Sequence, residues 1–429
     1  MTMFKSGTIA VVGLGYVGAP LALALSAHYP VIAYDTDPAR VDELRRAEDR
    51  TRELDAARLA RARWRLTGDS RGLRDADIVI VTVPTPVTAA NVPDMGCLIA
   101  ASRAVGAAMK RGAIVVYEST VYPGATEDVC LPELRRASAL RYPEDFAIGY
   151  SPERVNPGDK VHRLDNTTKI VAADRPEVLE LLARVYGCLT TVHRAGSIAV
   201  AEAAKALENI QRDVNIGLVN EVYQILSRIG VDMHEVLAAA GTKWNFLPFT
   251  PGLVGGHCIG VDPYYMTHKA ASEGASARII SAAREANDAM AAFLVDKLVK
   301  KLVSTGGLRR DAVITVLGAT FKEDVPDVRN SKVADLCAEL ARYGLAAQVV
   351  DPLADAREAR DELGLRLVTL EDAARNPADA VILAVPHAPF LAGGGWGQVV
   401  PLARLQGAVV LDLKARLSRP APAHITLMH

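Results

Sequence analysis

The chain has 429 residues, half of them hydrophobic and 23% charged, with a formal net charge of −1. That length calls for two or three domains, and that balance excludes both a long disordered chain and a polycationic nucleic-acid surface. No apolar run of about 18 residues offers a membrane span, and the first residues lead into a strand rather than a signal peptide. Five cysteines, Cys97, Cys130, Cys188, Cys258 and Cys337, lie without paired spacing, as reduced thiols of a cytoplasmic protein do.

Taken in order, Thr8–Val12 is a short apolar run that ends in Gly13-Leu14-Gly15-Tyr16-Val17-Gly18. An alanine- and leucine-rich helix follows to about Ala27, then a second strand, Val31–Tyr34, closed by Asp35. Strand, glycine turn, helix, strand and acid open a dinucleotide-binding fold. The first glycine allows the turn, the second lets backbone approach a pyrophosphate, and the third lets helix pack on strand. A carboxylate at Asp35 suits both ribose hydroxyls and repels a 2′-phosphate, so the expected cofactor is NAD rather than NADP. Arg40 either touches the adenosine end or is a surface arginine. Ile78–Val83 and Ile114–Tyr117 continue the buried strands. Thr82, Thr85, Ser119 and Thr120 follow them, where hydroxyls either face the cofactor or cap loops. Ser151-Pro152-Glu153-Arg154 comes after the last strand expected in this domain, and a carboxylate there acts either as a general base or as a helix cap.

The middle of the chain changes character. Ser197–Ile229 reads as one long helix, and about Ala275–Leu302 as a second helical stretch. Lys205 and Asn209 lie one turn apart, so they share a face that is either solvated or aimed at a developing oxyanion. Ile210, Val214, Leu218, Val222 and Leu226 form an apolar face on the same helix, suited to its own domains or to a symmetric dimer. The loop between, Gly241–Asp262, holds Gly255-Gly256-His257-Cys258-Ile259-Gly260-Val261-Asp262. A thiol flanked by glycines is either a small buried hydrophobe or a nucleophile. After a linker, Ser304–Arg310, strand and helix alternate again through Val313–Leu317, Gln348–Val350, Ala380–Val385 and Val409–Leu413. Gly318-Ala319-Thr320-Phe321-Lys322-Glu323-Asp324 opens this part, and Lys322 and Arg329 suit a second phosphate-bearing group. The expected architecture is α/β, with two Rossmann-like domains joined by a helical segment: residues 1–196, 197–303 and 304–429.

A cysteine beside hydride-transfer machinery implies a definite chemistry. A thiol traps an aldehyde as a thiohemiacetal, which loses a second hydride to give a thioester that water hydrolyses. Alcohol becomes acid with no aldehyde released. A one-step NAD-dependent hydroxy-acid dehydrogenase would need no such cysteine, and a non-catalytic nucleotide sensor would need neither Cys258 nor Lys205.

Seven segments, Gly13–Gly18, Pro84–Pro86, Glu118–Val121, Ser151–Asn156, Glu202–Asn209, Gly255–Asp262 and Gly318–Ser331, together resemble the UDP-glucose/GDP-mannose dehydrogenase family over essentially the whole chain. The resemblance implies that Cys258 is the nucleophile, Lys205 and Asn209 the oxyanion-stabilising pair, and Asp262 with Thr120 the holders of the hydrolytic water. It makes Glu153 the general base of thioester hydrolysis. It places Tyr16, Val17, Thr85, Ser119 and Arg329, with the glycines, Asp35 and Arg40, at NAD. It places Glu153, Arg154, Val155, Lys205, Asn209, Gly256, His257 and Lys322 at a UDP-sugar, with no metal. It implies a homodimer along the long helix. Within the family, Glu202–Asp213, Gly241–Phe246 and Pro251–Cys258 resemble the bacterial branch acting on UDP-N-acetylhexosamines, UDP-GlcNAc or UDP-GalNAc ahead of UDP-glucose or UDP-ManNAc. Asp35 gives the first test. NAD⁺ should be strongly preferred over NADP⁺ in steady-state assays, and Asp35→Ala should narrow the gap; equal use of both cofactors by the unaltered protein contradicts this.

Overall fold

The computed structural model describes residues 7–155, 161, 163–309 and 311–429. Asn156, at the end of the Ser151 motif, and Arg310, at the end of the expected linker, lie outside the described residues, as does the opening run 1–6. The chain forms two compact units. One comprises Met1–Glu208 with Tyr264–Ala275, the other Asn209–Pro263 with Ser276–His429.

The first unit is built on an eight-stranded sheet of β1 (Ile9–Val12), β2 (Val31–Tyr34), β3 (Trp64–Thr67), β4 (Ile78–Val81), β5 (Ile114–Tyr117), β6 (Ala147–Tyr150), β7 (Lys169–Ala173) and β8 (Val192–Arg194), in the order β3-β2-β1-β4-β5-β6-β7-β8. The first six strands are parallel in the 3-2-1-4-5-6 order of a dinucleotide-binding sheet; β7 runs antiparallel to β6. Strands β1, β2, β4 and β5 are buried along their whole length, which is why each reads as a continuous apolar run. Val12, Tyr34 and Val81 stand side by side in register, so the loops that follow leave from one edge of the sheet.

The Ser151 motif follows β6, but β6 is not the last strand of this unit. Two more follow: β7, an apolar run that opens on the buried Lys169, and β8, which is Val-His-Arg. Strand β6 is itself interrupted by Gly149. A Cβ there would lie 2.6 Å from Leu182 Cδ1 and 2.9 Å from the Ala172 carbonyl oxygen, so the close approach of β7 and the helix Pro176–Gly187 requires glycine.

The second unit has a five-stranded sheet of β9 (Val313–Leu317), β10 (Ala346–Val350), β11 (Ala380–Leu383), β12 (Ala408–Leu411) and β13 (Ile425–Met428), all parallel, in the order β10-β9-β11-β12-β13. This is the 2-1-3-4-5 doubly wound order, a Rossmann-like plan with its switch point beside β9. The expected stretch Ala275–Leu302 is two helices, Arg278–Asp288 and Met290–Ser304, meeting at Ala289.

The long helix is Ile198–Ile229, and its apolar residues occupy more than one face. Ile210 is buried, and Val222 and Leu226 pack on the core of the second unit. Of the five positions expected to form one face, Leu218 is the exposed one, at 58%. Ile225 and Ile229 are also exposed, at 54% and 66%, and stand with Leu218 on a single stripe. Spacing of three and four cannot separate two adjacent apolar stripes on a helix this long.

Candidate functional site

In the first unit the glycine turn is shaped by what its residues lack. Gly13 has φ +90°. A Cβ on Gly18 would lie 1.8 Å from the Gly13 carbonyl oxygen and 2.4 Å from the Thr82 hydroxyl, so helix and strand can meet only through glycine. Gly15 is different: nothing lies within 4 Å of the position its Cβ would take. The open space there is what a pyrophosphate needs for close approach to backbone. Asp35 accepts the Leu14 amide at 2.7 Å and the Asp37 amide at 2.9 Å, so the acid that ends β2 also fixes the turn after β1. These residues fit a dinucleotide whose phosphates rest on the turn and whose ribose meets Asp35.

Arg40 is buried, with Nε donating to the Leu14 carbonyl at 2.8 Å and the guanidinium paired with Glu43 and Asp49. Its donors point into the protein and brace the turn from beneath; it is not a surface arginine. The hydroxyls of Thr82, Ser119 and Thr85 likewise donate to backbone, to Gly13 at 2.7 Å, Val83 at 2.6 Å and Thr120 at 2.8 Å. Each secures a neighbouring strand end and keeps its oxygen as an acceptor. The Tyr265 hydroxyl donates to the Thr85 carbonyl.

A cleft of about 740 Å³ opens beside the turn, lined by Tyr16 and Val17 together with Glu153 and Val155. Glu153 is held from both sides. Its Oε1 accepts the Arg154 and Val155 amides, each at 2.6 Å, and its Oε2 accepts Lys169 Nζ at 3.1 Å. Lys169, 2% exposed, also donates to Glu118 at 2.5 Å and to the Pro152 carbonyl at 3.3 Å. The Tyr186 hydroxyl donates to the other oxygen of Glu118 at 2.6 Å. Burial pushes the Glu118 carboxyl above its usual range, against the pull of Lys169. Burial pushes Glu153 upward too, but the Lys169 charge and the two amides outweigh it and leave this carboxyl below its usual range. Arg154 is anchored to the Thr168 carbonyl at 2.7 Å and to Glu208 at 2.7 Å.

Glu202, fully buried, accepts the Gly124 and Thr126 amides at 2.6 and 2.9 Å and so fixes the loop beyond Thr120. Lys205 is 7% exposed, and among the described residues no hydrogen bond or ion pair holds its ammonium. A buried cation without an anion of its own suits a site that receives one.

In the second unit the cysteine loop is pinned on both sides. Asn220 donates to the Gly252 carbonyl at 3.0 Å and accepts the Gly252 amide at 2.9 Å. Asn287 supports Asn220 and also reaches Asp213, which pairs with Arg284 at 2.6 Å; all four side chains are buried. A Cβ on Gly255 would lie 2.4 Å from the Asn330 carbonyl oxygen, and one on Gly256, at φ +81°, 2.6 Å from the Phe321 ring. The two glycines thus let this loop lie against the turn after β9. His257 Nδ1 stands 3.7 Å from Cys258 Sγ, and its ring is tilted over Phe321. The Asp262 amide donates to the Cys258 carbonyl at 2.8 Å, and the Asp262 carboxylate accepts Asn209, whose carbonyl accepts Arg212. Cys258, His257, Asn209 and Asp262 are therefore brought together. Burial pushes the Cys130 and Cys337 thiols up to about 12 and raises Cys188. Those three remain protonated at neutral pH.

Arg329 forms a two-point pair with Asp327, Nε to Oδ1 at 3.0 Å and Nη2 to Oδ2 at 2.5 Å. Lys322 lies in a small recess with Thr320, Lys332 and Lys414. Sequence reasoning passed over Lys169, Glu118, Asn220 and Arg212 as functional candidates. The signal for Lys169 was a lysine opening an otherwise apolar strand. Among the described residues no His, Cys, Asp or Glu group could hold a metal, and no helix is long and apolar enough to cross a membrane.

Three profiles of the UDP-glucose/GDP-mannose dehydrogenase family match the chain: the NAD binding domain over residues 7–190, the central domain over 199–289 and the UDP binding domain over 315–419. The chain is 48% identical over 389 residues to a UDP-N-acetyl-D-glucosamine 6-dehydrogenase of Pseudomonas aeruginosa, covering 90% of this chain and 92% of that protein. It is 45% identical over 385 residues to a UDP-N-acetyl-D-glucosamine 6-dehydrogenase of Salmonella typhi, covering 89% and 90%. A UDP-D-ManNAc dehydrogenase structure from Pyrococcus horikoshii is 28% identical, with a TM-score of 0.86 over 98% of each chain.

Proposed function

The chain belongs to the UDP-glucose/GDP-mannose dehydrogenase family, and from that premise we propose that it oxidises C6 of UDP-N-acetylglucosamine to the carboxylate, with two NAD⁺ per sugar. The observation that carries the substrate is the identity of 48% and 45% to two UDP-N-acetyl-D-glucosamine 6-dehydrogenases, against 28% to a UDP-D-ManNAc dehydrogenase. UDP-GalNAc is the next substrate in line, followed by UDP-ManNAc and UDP-glucose. The domain boundaries fall at 196/197 and 303/304, and the enzyme works in the cytoplasm, away from membranes and nucleic acid.

Bound NAD⁺ would supply the hydride acceptor for each of the two oxidations. Gly13, Gly15, Tyr16, Val17 and Gly18 would hold its phosphates, Asp35 its ribose, and Thr85, Ser119 and Arg329 its remaining polar groups; Arg40 acts by holding the turn. Arg154, Val155, Gly256, His257 and Lys322 position the UDP-sugar. The Cys258 thiolate adds to the C6 aldehyde, making an S–C bond, and the oxygen takes the negative charge beside Lys205 and the Asn209 amide. Loss of hydride from that thiohemiacetal leaves a thioester on Cys258. Asp262 and Thr120 hold a water; its oxygen bonds to C6, Glu153 takes its proton, and the S–C bond breaks to release carboxylate and thiol.

Counting NADH released per sugar in a single progress curve tests this reading. Two per UDP-N-acetylglucosamine is expected. One would indicate a single-step dehydrogenase, and none a nucleotide sensor. Turnover of UDP-glucose alone would overturn the substrate while leaving the chemistry.

The enzyme is also proposed to be a homodimer through the exposed stripe Leu218, Ile225 and Ile229, which would leave apolar surface in water in a monomer. Light scattering at micromolar concentration should give twice the chain mass, and Leu218→Glu with Ile225→Glu should halve it. A monomer in the unaltered protein overturns the assignment.

A further inference from the structure

Glu153 is only half of a buried arrangement whose other half the reaction scheme does not use. One cation, Lys169, stands between two carboxylates, Glu118 and Glu153, with side chains 2%, 0% and 14% exposed. Its three N–H bonds go to Glu118, Glu153 and the Pro152 carbonyl. On Glu153, Oε1 already accepts two amides and Oε2 accepts Lys169. Each carboxylate oxygen has two acceptor positions, so among the described residues one is left, on Oε2 beside the lysine. A water delivering its proton to Glu153 must use that position.

We propose that Lys169, bridging Glu118 and Glu153, is the positioning residue of the general base: it keeps Glu153 an oriented carboxylate with Oε2 open to water, while Glu118 balances the lysine. The proposal rests on the reading of Glu153 as the base of hydrolysis. It follows from charge counting in a group where Lys169 and Glu118 are closed to solvent and Glu153 faces the cleft. With the lysine present, the two carboxylates carry one excess negative charge between them. Without it, two buried carboxylates face each other and cannot both ionise near neutrality. Removing Glu118 as well takes that repulsion away. When Glu153 accepts a proton, its hold on Lys169 slackens and the ammonium keeps Glu118 as its partner, so no buried charge is left unpaired.

The groups that set this balance come from every element around it. Glu118 follows β5, Lys169 begins β7 and Tyr186 comes from the helix Pro176–Gly187. Arg154 is turned away to Thr168 and Glu208. The rest of the cleft presents Tyr16, Arg52, Glu53, Arg58, Arg163 and Asp165.

The test is the rate of thioester hydrolysis in a single turnover with NAD⁺ and UDP-N-acetylglucosamine, measured from pH 5 to 9 by acid quench and intact-protein mass. Unaltered enzyme, Lys169→Met, Glu118→Gln, the Lys169→Met/Glu118→Gln double variant and Glu153→Gln are compared. Lys169→Met should move the acid limb upward by about one pH unit or more, so that hydrolysis at the low end of the range falls about tenfold per unit moved. The double variant should bring the limb part of the way back, and Glu118→Gln alone should not raise it. A lysine that only packs would lower the rate uniformly, with no change of limb and no recovery in the double variant, and that result overturns the proposal. Should Lys169→Met fail to fold, the other two variants still decide: a Glu118→Gln limb raised like a lost base, or a double variant with the unaltered limb, is equally fatal. Normal hydrolysis by Glu153→Gln would show instead that Glu153 is not the base, a different failure with a different signature.

Discussion

The cysteine loop of the second unit depends on one buried contact, the hydrogen bond from the Asn209 amide to the Asp262 carboxylate. Both residues are almost wholly excluded from solvent, where an unpaired carboxylate would be costly. Asn209 meets that need with one end of its amide and takes Arg212 at the other, so neither end can turn freely. Asp262 in turn starts the helix Asp262–Ser272, and its own amide holds the Cys258 carbonyl. The thiol is thereby tied to the long helix through one residue. The Asn220 clamp on Gly252 does the same from the other side. A reactive cysteine on a loop needs such bracing, because a displacement of an ångström removes most of the benefit of placing it.

A second constraint explains why one sheet suits a dinucleotide and the other a different occupant. In each sheet an aspartate ends the strand beside the first, Asp35 after β2 and Asp351 after β10. Each accepts amides from the turn that follows the first strand: Asp35 from Leu14, Asp351 from Ala319 and Thr320. After that the two diverge. Asp351 is also bound by His387 at 3.0 Å, which accepts the Asp324 amide at its other ring nitrogen. Burial pushes the Asp351 carboxyl upward, and the His387 contact and the amides bring it down to about 2. Among the described residues Asp35 makes no histidine contact, and Gly15 leaves the space above the turn open. The same strand-end device thus carries a histidine contact in one unit and leaves its turn open in the other.

These two cases also mark how far the sequence could be read. Gly13, Gly15 and Gly18 were legible because their spacing states a steric requirement, and the buried parallel strands because burial on both faces leaves a continuous apolar run. Val31–Tyr34, Ile114–Tyr117 and Val313–Leu317 were placed to the residue. Strands β7 and β8 were not, because Lys169 and the Val-His-Arg of β8 carry polar residues whose partners come from elsewhere in the chain. Arg40 shows the same limit: five residues after Asp35 it can reach a ligand or a turn, and only the positions of Glu43 and Asp49 decide. Cys258, Lys205 and Asn209 could be singled out from chemistry and Asp262 from the family resemblance, whereas Asn220 and Lys169, whose contacts come from distant parts of the chain, have no local signature. Pairwise contacts across long separations in sequence are the part that a single chain does not display.

The central claim is that Cys258 carries the sugar as a thioester that Glu153 helps to remove. Intact-protein mass spectrometry of Glu153→Gln enzyme, mixed with NAD⁺ and UDP-N-acetylglucosamine and quenched in acid, tests it most directly. The account predicts a mass increase equal to the bound uronyl thioester, which disappears when Cys258→Ala is added to the same protein. An unchanged mass accompanied by continued formation of uronic acid in the Cys258→Ala protein would contradict it.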